Sequence, residues 1–197
     1  TTSFDSLEGI ENIVGTENAD IIKGSDITTE VNILNGYKGN DTFYSSNGLD
    51  SFIGGDGIDT LDFTNNGGRS ISIDLDQDKA LNDGYGYEDS IANDIEVIIG
   101  STNNDILVGD AAKNTLKGGT GDDQISGGTG DDSLEGNDGD DTLKGDSGSD
   151  TIYGGAGADK IYGGDGADII NGEAGDDIIY FGTGNDNVQI KLKDTAN

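Results

Sequence analysis

Between Gly118 and Tyr180 an aliphatic residue returns at every ninth position: Ile125, Leu134, Leu143, Ile152, Ile161, Ile170 and Ile179. The positions between them are mostly polar residues and glycine. This spacing fits neither the 3.6-residue period of an amphipathic helix nor the two-residue period of a half-buried strand. One obligatory apolar side chain per unit cannot build the core of a bundle or a sandwich. It can fill the narrow interior of a solenoid whose short strands stack coil upon coil.

The seven units are GGTGDDQIS, GGTGDDSLE, GNDGDDTLK, GDSGSDTIY, GGAGADKIY, GGDGADIIN and GEAGDDIIY. They read G-G-x-G-x-D-x-U-x, with U aliphatic. Glycines at places one, two and four allow positive φ and close approach of a ligand to the backbone. The sixth place is always aspartate: Asp123, Asp132, Asp141, Asp150, Asp159, Asp168 and Asp177.

The register continues in weaker form on both sides. FGTGNDNVQ (181–189) keeps Asp186 but opens on Phe181, as a capping unit would. GDAAKNTLK (109–117) puts Asn114 at the aspartate place, which leaves its site in doubt, and GSTNNDILV (100–108) restores Asp105. A shorter array lies earlier, in GTENADIIK, GYKGNDTFY, SSNGLDSFI and GGDGIDTLD, with Asp20, Asp41, Asp50 and Asp59 at the sixth place. Ile22, Phe43, Phe52 and Leu61 take its inward place, and about three extra residues precede Gly36. Residues 64–99 lose the period; there Ile71, Ile73 and Leu75 alternate with polar residues, the mark of a half-buried strand. The expected organisation is an N-terminal roll over 1–63, an irregular β segment or linker over 64–99, a C-terminal roll over 100–190 and a tail over 191–197. The segment 64–99 either continues the roll as irregular coils or links two rolls.

Charge changes the picture from fold to ligand. Forty Asp and Glu face ten Lys and Arg, a formal charge of −30, with no His and no Cys. That balance argues against nucleic acid and anionic membranes and for cations. No run is long and apolar enough for a membrane span. Neighbouring strands of a solenoid lie roughly 4.8 Å apart. Two bare aspartates at that distance repel by about 1 kcal/mol in water and about 3 kcal/mol at an effective dielectric of 20. A ladder of such pairs would cancel the roughly 5–15 kcal/mol of an ordinary domain. A chain disordered without cation and folded with it is the expectation. Carboxylates and carbonyls are hard oxygen donors in a flexible loop, which suits calcium better than zinc, copper or magnesium.

The nonapeptide resembles the repeats-in-toxin (RTX) calcium-binding family, closely over 118–180 and more loosely outside it. The resemblance implies an all-β, right-handed parallel β-roll in one continuous or two stacked arrays, each coil using two nonapeptides. A calcium ion then lies between loop i and loop i+18. One loop offers the carbonyls of places two and four with its aspartate; the next offers those of places one and three with its own. Carried over, Gly119, Gly121 and Asp123 face Gly136, Asp138 and Asp141, while Gly128, Gly130 and Asp132 face Gly145, Ser147 and Asp150. Along the array the first-place candidates are Gly118, Gly127, Gly136, Gly145, Gly154, Gly163 and Gly172. Second-place candidates are Gly119, Gly128, Asn137, Asp146, Gly155 and Gly164; third-place ones are Thr120, Thr129, Asp138, Ser147, Ala156, Asp165 and Ala174. Gly121, Gly130, Gly139, Gly148, Gly157 and Gly166 hold place four. In the earlier array Gly39, Asp41, Gly54, Asp56 and Asp59 form one site, and Asp20, Asp50, Asp105 and Asp186 extend the columns. Interior aspartates would bridge two ions each, for about ten ions.

Other constellations carry less. GDSGS (145–149) resembles a serine-protease nucleophile motif but has no His to act as base. The lack of His equally excludes HExxH metalloprotease chemistry. Asp74, Asp76 and Asp78 start like an EF-hand loop, yet Lys79 stands where Gly is needed and Tyr85 where Glu is. Acids such as Asp122, next to a sixth-place aspartate, are expected to point outward. Tyr153, Tyr162 and Tyr180 align at place nine, as face-packing groups or as a sugar-stacking platform. No catalytic set emerges, so the expectation is not an enzyme. As the resemblance implies, the chain is a calcium-responsive folding module of a larger secreted bacterial protein exported through a type I channel. The alternative is a calcium-dependent adhesin or a glycan- or ice-binding module. The absence of a starting Met and of an apolar ending in QIKLKDTAN suggests a piece of a longer chain.

Overall fold

The computed structural model describes residues 12–24 and 31–189. Among them all regular structure is β-strand, in twenty segments that form two sheets of eleven and nine strands. In the repeat region successive strands alternate between the sheets, so each coil takes two nonapeptides. Parallel pairing in strict register follows: Leu116 sits beside Leu134, and Ile125 beside Leu143, each 18 residues on. The chain is a parallel β-roll, as the repeat implies.

The core is two facing single files of inward side chains. One sheet contributes Leu116, Leu134, Ile152 and Ile170, the other Leu107, Ile125, Leu143 and Ile161, all 2% exposed or less. Burying each such group contributes about 1.5–3 kcal/mol. In the earlier array the files hold larger residues, and Phe43 meets Phe52 edge-on with ring centroids 5.9 Å apart. The first coil is longer: Ile22 pairs with Phe43, 21 residues on. Residues 25–30, on which part of that lengthened unit falls, lie outside the described residues, as do 1–11 and 190–197.

Residues 64–99 join the same two sheets. Ile71, Ile73 and Leu75 are buried. Strand Ser72–Asp74 pairs in parallel with Ile106–Val108 and antiparallel with Lys79–Asn82. Lys79–Asn82 in turn runs antiparallel to Asp89–Ile91, which lies parallel to Leu49–Asp56. Across the core, Thr60–Asp62 pairs directly with Val97–Ile99. One sheet therefore passes through a three-stranded meander where the other takes a single step. At roughly 4.8 Å per strand, two extra strands lengthen that side by about 10 Å. Hydrogen bonding runs unbroken from the first array into the second. Asp76 and Asp78 are exposed on the meander's first turn.

Candidate metal centre

The sixth-place aspartates form two columns, one along each edge of the roll. Asp123, Asp132, Asp141, Asp150, Asp159 and Asp168 are 1–2% exposed, and Asp41 and Asp59 are fully buried. Each stands immediately before a strand, where its N–H has no partner within its own loop. The next coil supplies one: the N–H of Asp105 donates to Oδ1 of Asp123 at 2.8 Å, and that of Asp123 to Asp141 at 2.7 Å. The second column repeats the bond from Asp132 to Asp150 and from Asp150 to Asp168, both at 2.9 Å. Asp20 donates to Asp41, and Asp41 to Asp59, at 2.8 Å. Oδ1 of each carboxylate is thereby fixed in place. Oδ2 is left buried without a hydrogen-bond partner in Asp41, Asp59, Asp123, Asp132, Asp141, Asp150, Asp159 and Asp168. A buried acceptor without a donor is costly unless a cation takes the donor's role.

The surroundings of Oδ2 are backbone oxygens. A Cβ added to Gly127 would lie 2.6 Å from Oδ2 of Asp132 and 2.8 Å from the carbonyl of Gly145, so both oxygens border one cleft. Gly118, Gly136 and Gly154 stand in the same relation to Asp123, Asp141 and Asp159 and to the next first-place carbonyl. Carbonyls of places two and four face the following coil: a Cβ on Gly155 would strike Asn137 O, and one on Gly157 would strike Gly139 O. Third-place carbonyls accept from place four of the preceding coil, as Asp138 O does from Gly121 at 2.8 Å. The structure thus sets the loops of Gly119, Gly121 and Asp123 against those of Gly136, Asp138 and Asp141. Among the described residues no three carboxylates converge. An ion here would draw the balance of its oxygens from the backbone, as calcium's six to eight ligands permit.

Without a cation these carboxylates resist ionising. Burial, reinforced by neighbouring aspartates, pushes Asp123 and Asp150 up to about 7 and Asp59, Asp132, Asp141 and Asp159 to about 6. Asp41 and Asp168 are raised for the same first reason. The bonds to Oδ1 pull the other way and do not prevail.

The loops fall into two kinds, decided at place two. In the clean units this residue has positive φ whether or not it is glycine: Gly119 at 115°, Gly128 at 97°, Asn137 at 77°, Asp146 at 67°, Glu173 at 67°. Tyr37 and Gly55 share it in the earlier array, at 75° and 101°. Four units differ. Thr16 donates its N–H and hydroxyl to Oδ2 of Asp20, the hydroxyl at 2.9 Å. Ser46 donates its hydroxyl to Oδ2 of Asp50 at 2.8 Å, and Asn32 donates to Oδ1 at 2.9 Å. Ser101 donates its N–H to Oδ2 of Asp105 at 2.6 Å and its hydroxyl to Oδ1 at 2.9 Å. Asp110 donates its N–H to Oδ1 of Asn114 at 2.8 Å, and Nδ2 of Asn114 is buried without a partner. None of these four second-place residues has positive φ. These donors take the place left vacant in the open loops, so Oδ2 of Asp20, Asp50 and Asp105 has a partner.

Asp177 and Asp186 end the columns, each only half-buried, and accept from Asp159 and Asp168 at 3.1 Å. The side chains of Asp56, Asp138 and Asp165 are exposed, and their carbonyls accept the N–H groups of Gly39, Gly121 and Gly148. The place-five acids do more than face outward. Asp122 accepts the N–H of Asp140 at 3.0 Å, and Asp140 that of Ala158 at 2.7 Å, a third ladder on the surface. In the meander Asp89 and Glu96 replace the missing sixth-place residues, accepting the N–H of Asp50 and of Asp59 at 2.8 Å. Burial pushes Asp89 up to about 8. Glu96 stands 18 residues before Asn114, a spacing visible in the sequence once a glutamate is admitted at place six.

A family model describing four copies of the RTX calcium-binding nonapeptide repeat matches residues 28–61, 99–134, 126–161, 135–170 and 153–188, more than half the chain. The chain belongs to the RTX repeat family. No curated protein matches it. The matched segments contain all the open loops, and the meander lies between them. RTX repeats are typical of secreted bacterial proteins. Among the described residues no helix is long and apolar enough to cross a membrane.

Proposed function

We propose that this RTX chain is a calcium-responsive folding module that is disordered in low calcium and closes into the roll outside the cell, supporting the export and folding of a larger secreted protein. The observation that carries this reading is the pair of columns of buried Oδ2 atoms without donors. The folded backbone creates that deficit at Asp41, Asp59, Asp123, Asp132, Asp141, Asp150, Asp159 and Asp168, and a divalent cation would remove it together with the charge. The ligands are Oδ2 of each open-loop aspartate and the carbonyls of the first four places, including Gly39 and Gly54 in the earlier array.

The ions occupy steps where both loops are open: Asp123–Asp141, Asp141–Asp159, Asp159–Asp177, Asp132–Asp150, Asp150–Asp168, Asp168–Asp186 and Asp41–Asp59. That makes seven repeat ions rather than ten. Thr16, Ser46, Ser101 and Asp110 close their loops, and no ion enters there. A glycan- or ice-binding role gains no support from the flanks. Tyr162 and Tyr180 stack on each other at 4.8 Å, and the outward row Ile106, Gln124, Thr142, Lys160, Ile178 has no repeating chemistry. Circular dichroism tests the reading: a coil spectrum in chelator should become a β spectrum in millimolar calcium. A β spectrum unchanged by chelator refutes it.

A further inference from the structure

The meander buries two aspartates that belong to no nonapeptide. Asp83 and Asp89 are 0% and 2% exposed and lie between the matched segments 28–61 and 99–134. Asp83 follows strand Lys79–Asn82 and caps a glycine turn, where its Oδ1 accepts the N–H groups of Tyr85, Gly86 and Tyr87 at 2.8, 2.9 and 3.2 Å. Asp89 opens the next strand, and its Oδ1 accepts the N–H of Asp50 at 2.8 Å. In both residues Oδ2 is buried and has no hydrogen-bond partner. This is the arrangement of the repeat aspartates, reached through a different backbone: one oxygen held by N–H donors, the other unanswered.

Among the described residues no basic group stands against the pair. Asp83 and Asp50 both act on Asp89 by like-charge repulsion, and no basic group offsets it. Asp50 has both oxygens engaged, by Asn32 and Ser46. Arg69 is turned elsewhere, donating to the carbonyl of Asn66 and lying 4.6 Å over the Tyr85 ring. A hard cation shared by the two carboxylates would answer both oxygens at once.

We propose that the meander holds a calcium ion of its own, bound by Oδ2 of Asp83 and Oδ2 of Asp89. It ties the turn after Lys79–Asn82 to the strand that joins the first array, and so makes the junction of the arrays calcium-dependent. The proposal rests on the calcium-binding reading of the repeats.

Native mass spectrometry of the full chain in calcium tests it. The double variant Asp83→Asn/Asp89→Asn should hold one ion fewer than the parent, and Asp141→Asn serves as a repeat-site comparator. A parental ion count in the double variant, with ions lost from the comparator, overturns this site alone and assigns the gap to water or a proton. A parent that binds no calcium overturns the repeat reading as well. If the double variant does not fold in calcium, the pair Tyr85→Phe/Tyr87→Phe decides. These tyrosines flank Asp83, so their loss should cut tyrosine-sensitised terbium emission while the ion count holds. Emission equal to the parent's contradicts the site.

Discussion

A single residue, the one at place two, separates an open loop, which we propose takes calcium, from a closed one. Glycine, or a residue held at positive φ, leaves the sixth-place Oδ2 facing a cleft; Thr16 and Ser46 bend their hydroxyls onto that oxygen, and Ser101 gives it its N–H while its hydroxyl takes Oδ1. Ser101→Gly should therefore open the loop of Asp105 and add an ion between it and the loop of Asp123. Equilibrium dialysis with calcium-45 measures this, and an unchanged count would show that the hydroxyl is not what excludes the ion. Gly136 carries the opposite lesson. A Cβ there would collide with Oδ2 of Asp141 and the carbonyl of Gly154. Gly136→Ala should raise the calcium midpoint of folding several-fold, and an unaltered midpoint would contradict the cleft described here. The sixth-place aspartates and first-place glycines were legible in the sequence because the period repeats them. The closed loops were not. Their hydroxyl-to-carboxylate bonds depend on a backbone state that one degenerate unit, read alone, does not reveal.

At the level of strands the roll rests on one inward side chain per turn. Leu134 is fully buried between Leu116 and Ile152 in its own file. Its truncation to alanine should cost about 2–5 kcal/mol, since stacked coils cannot collapse onto the gap. Denaturant unfolding in saturating calcium gives the number, and a loss below about 1 kcal/mol would place the stabilisation elsewhere. The files were readable from the nine-residue period, including Phe43, Phe52 and Leu61 in the earlier array. The meander was readable only in part. Ile71, Ile73 and Leu75 signalled a strand, but the antiparallel return through Lys79–Asn82 depends on long-range pairing to Asp89–Ile91. Asp89 and Glu96 went unnoticed because they restore the columns without restoring the motif.

Across the whole molecule, charge and fold oppose each other, and a bound cation would relieve the conflict. In the metal-free roll burial pushes Asp123 and Asp150 up to about 7 and Asp59, Asp132, Asp141 and Asp159 up to about 6, from the ordinary 3.8. The folded chain therefore holds more protons than the unfolded one between about pH 4 and 7. Stability is greatest below about pH 4 and is lost as pH rises through about 7. In chelator, acidification from pH 7.5 to 5 should induce β structure, as protons partly stand in for calcium. A coil spectrum at both values would show that the columns do not govern folding. Small-angle scattering with and without calcium tests the central claim most directly. An unfolded chain of this length has a radius of gyration of about 48 Å, against about 16 Å for a compact one. The account predicts a value near the first in chelator and near the second, allowing for the roll's elongation, in millimolar calcium at neutral pH. A compact radius in both conditions would contradict it.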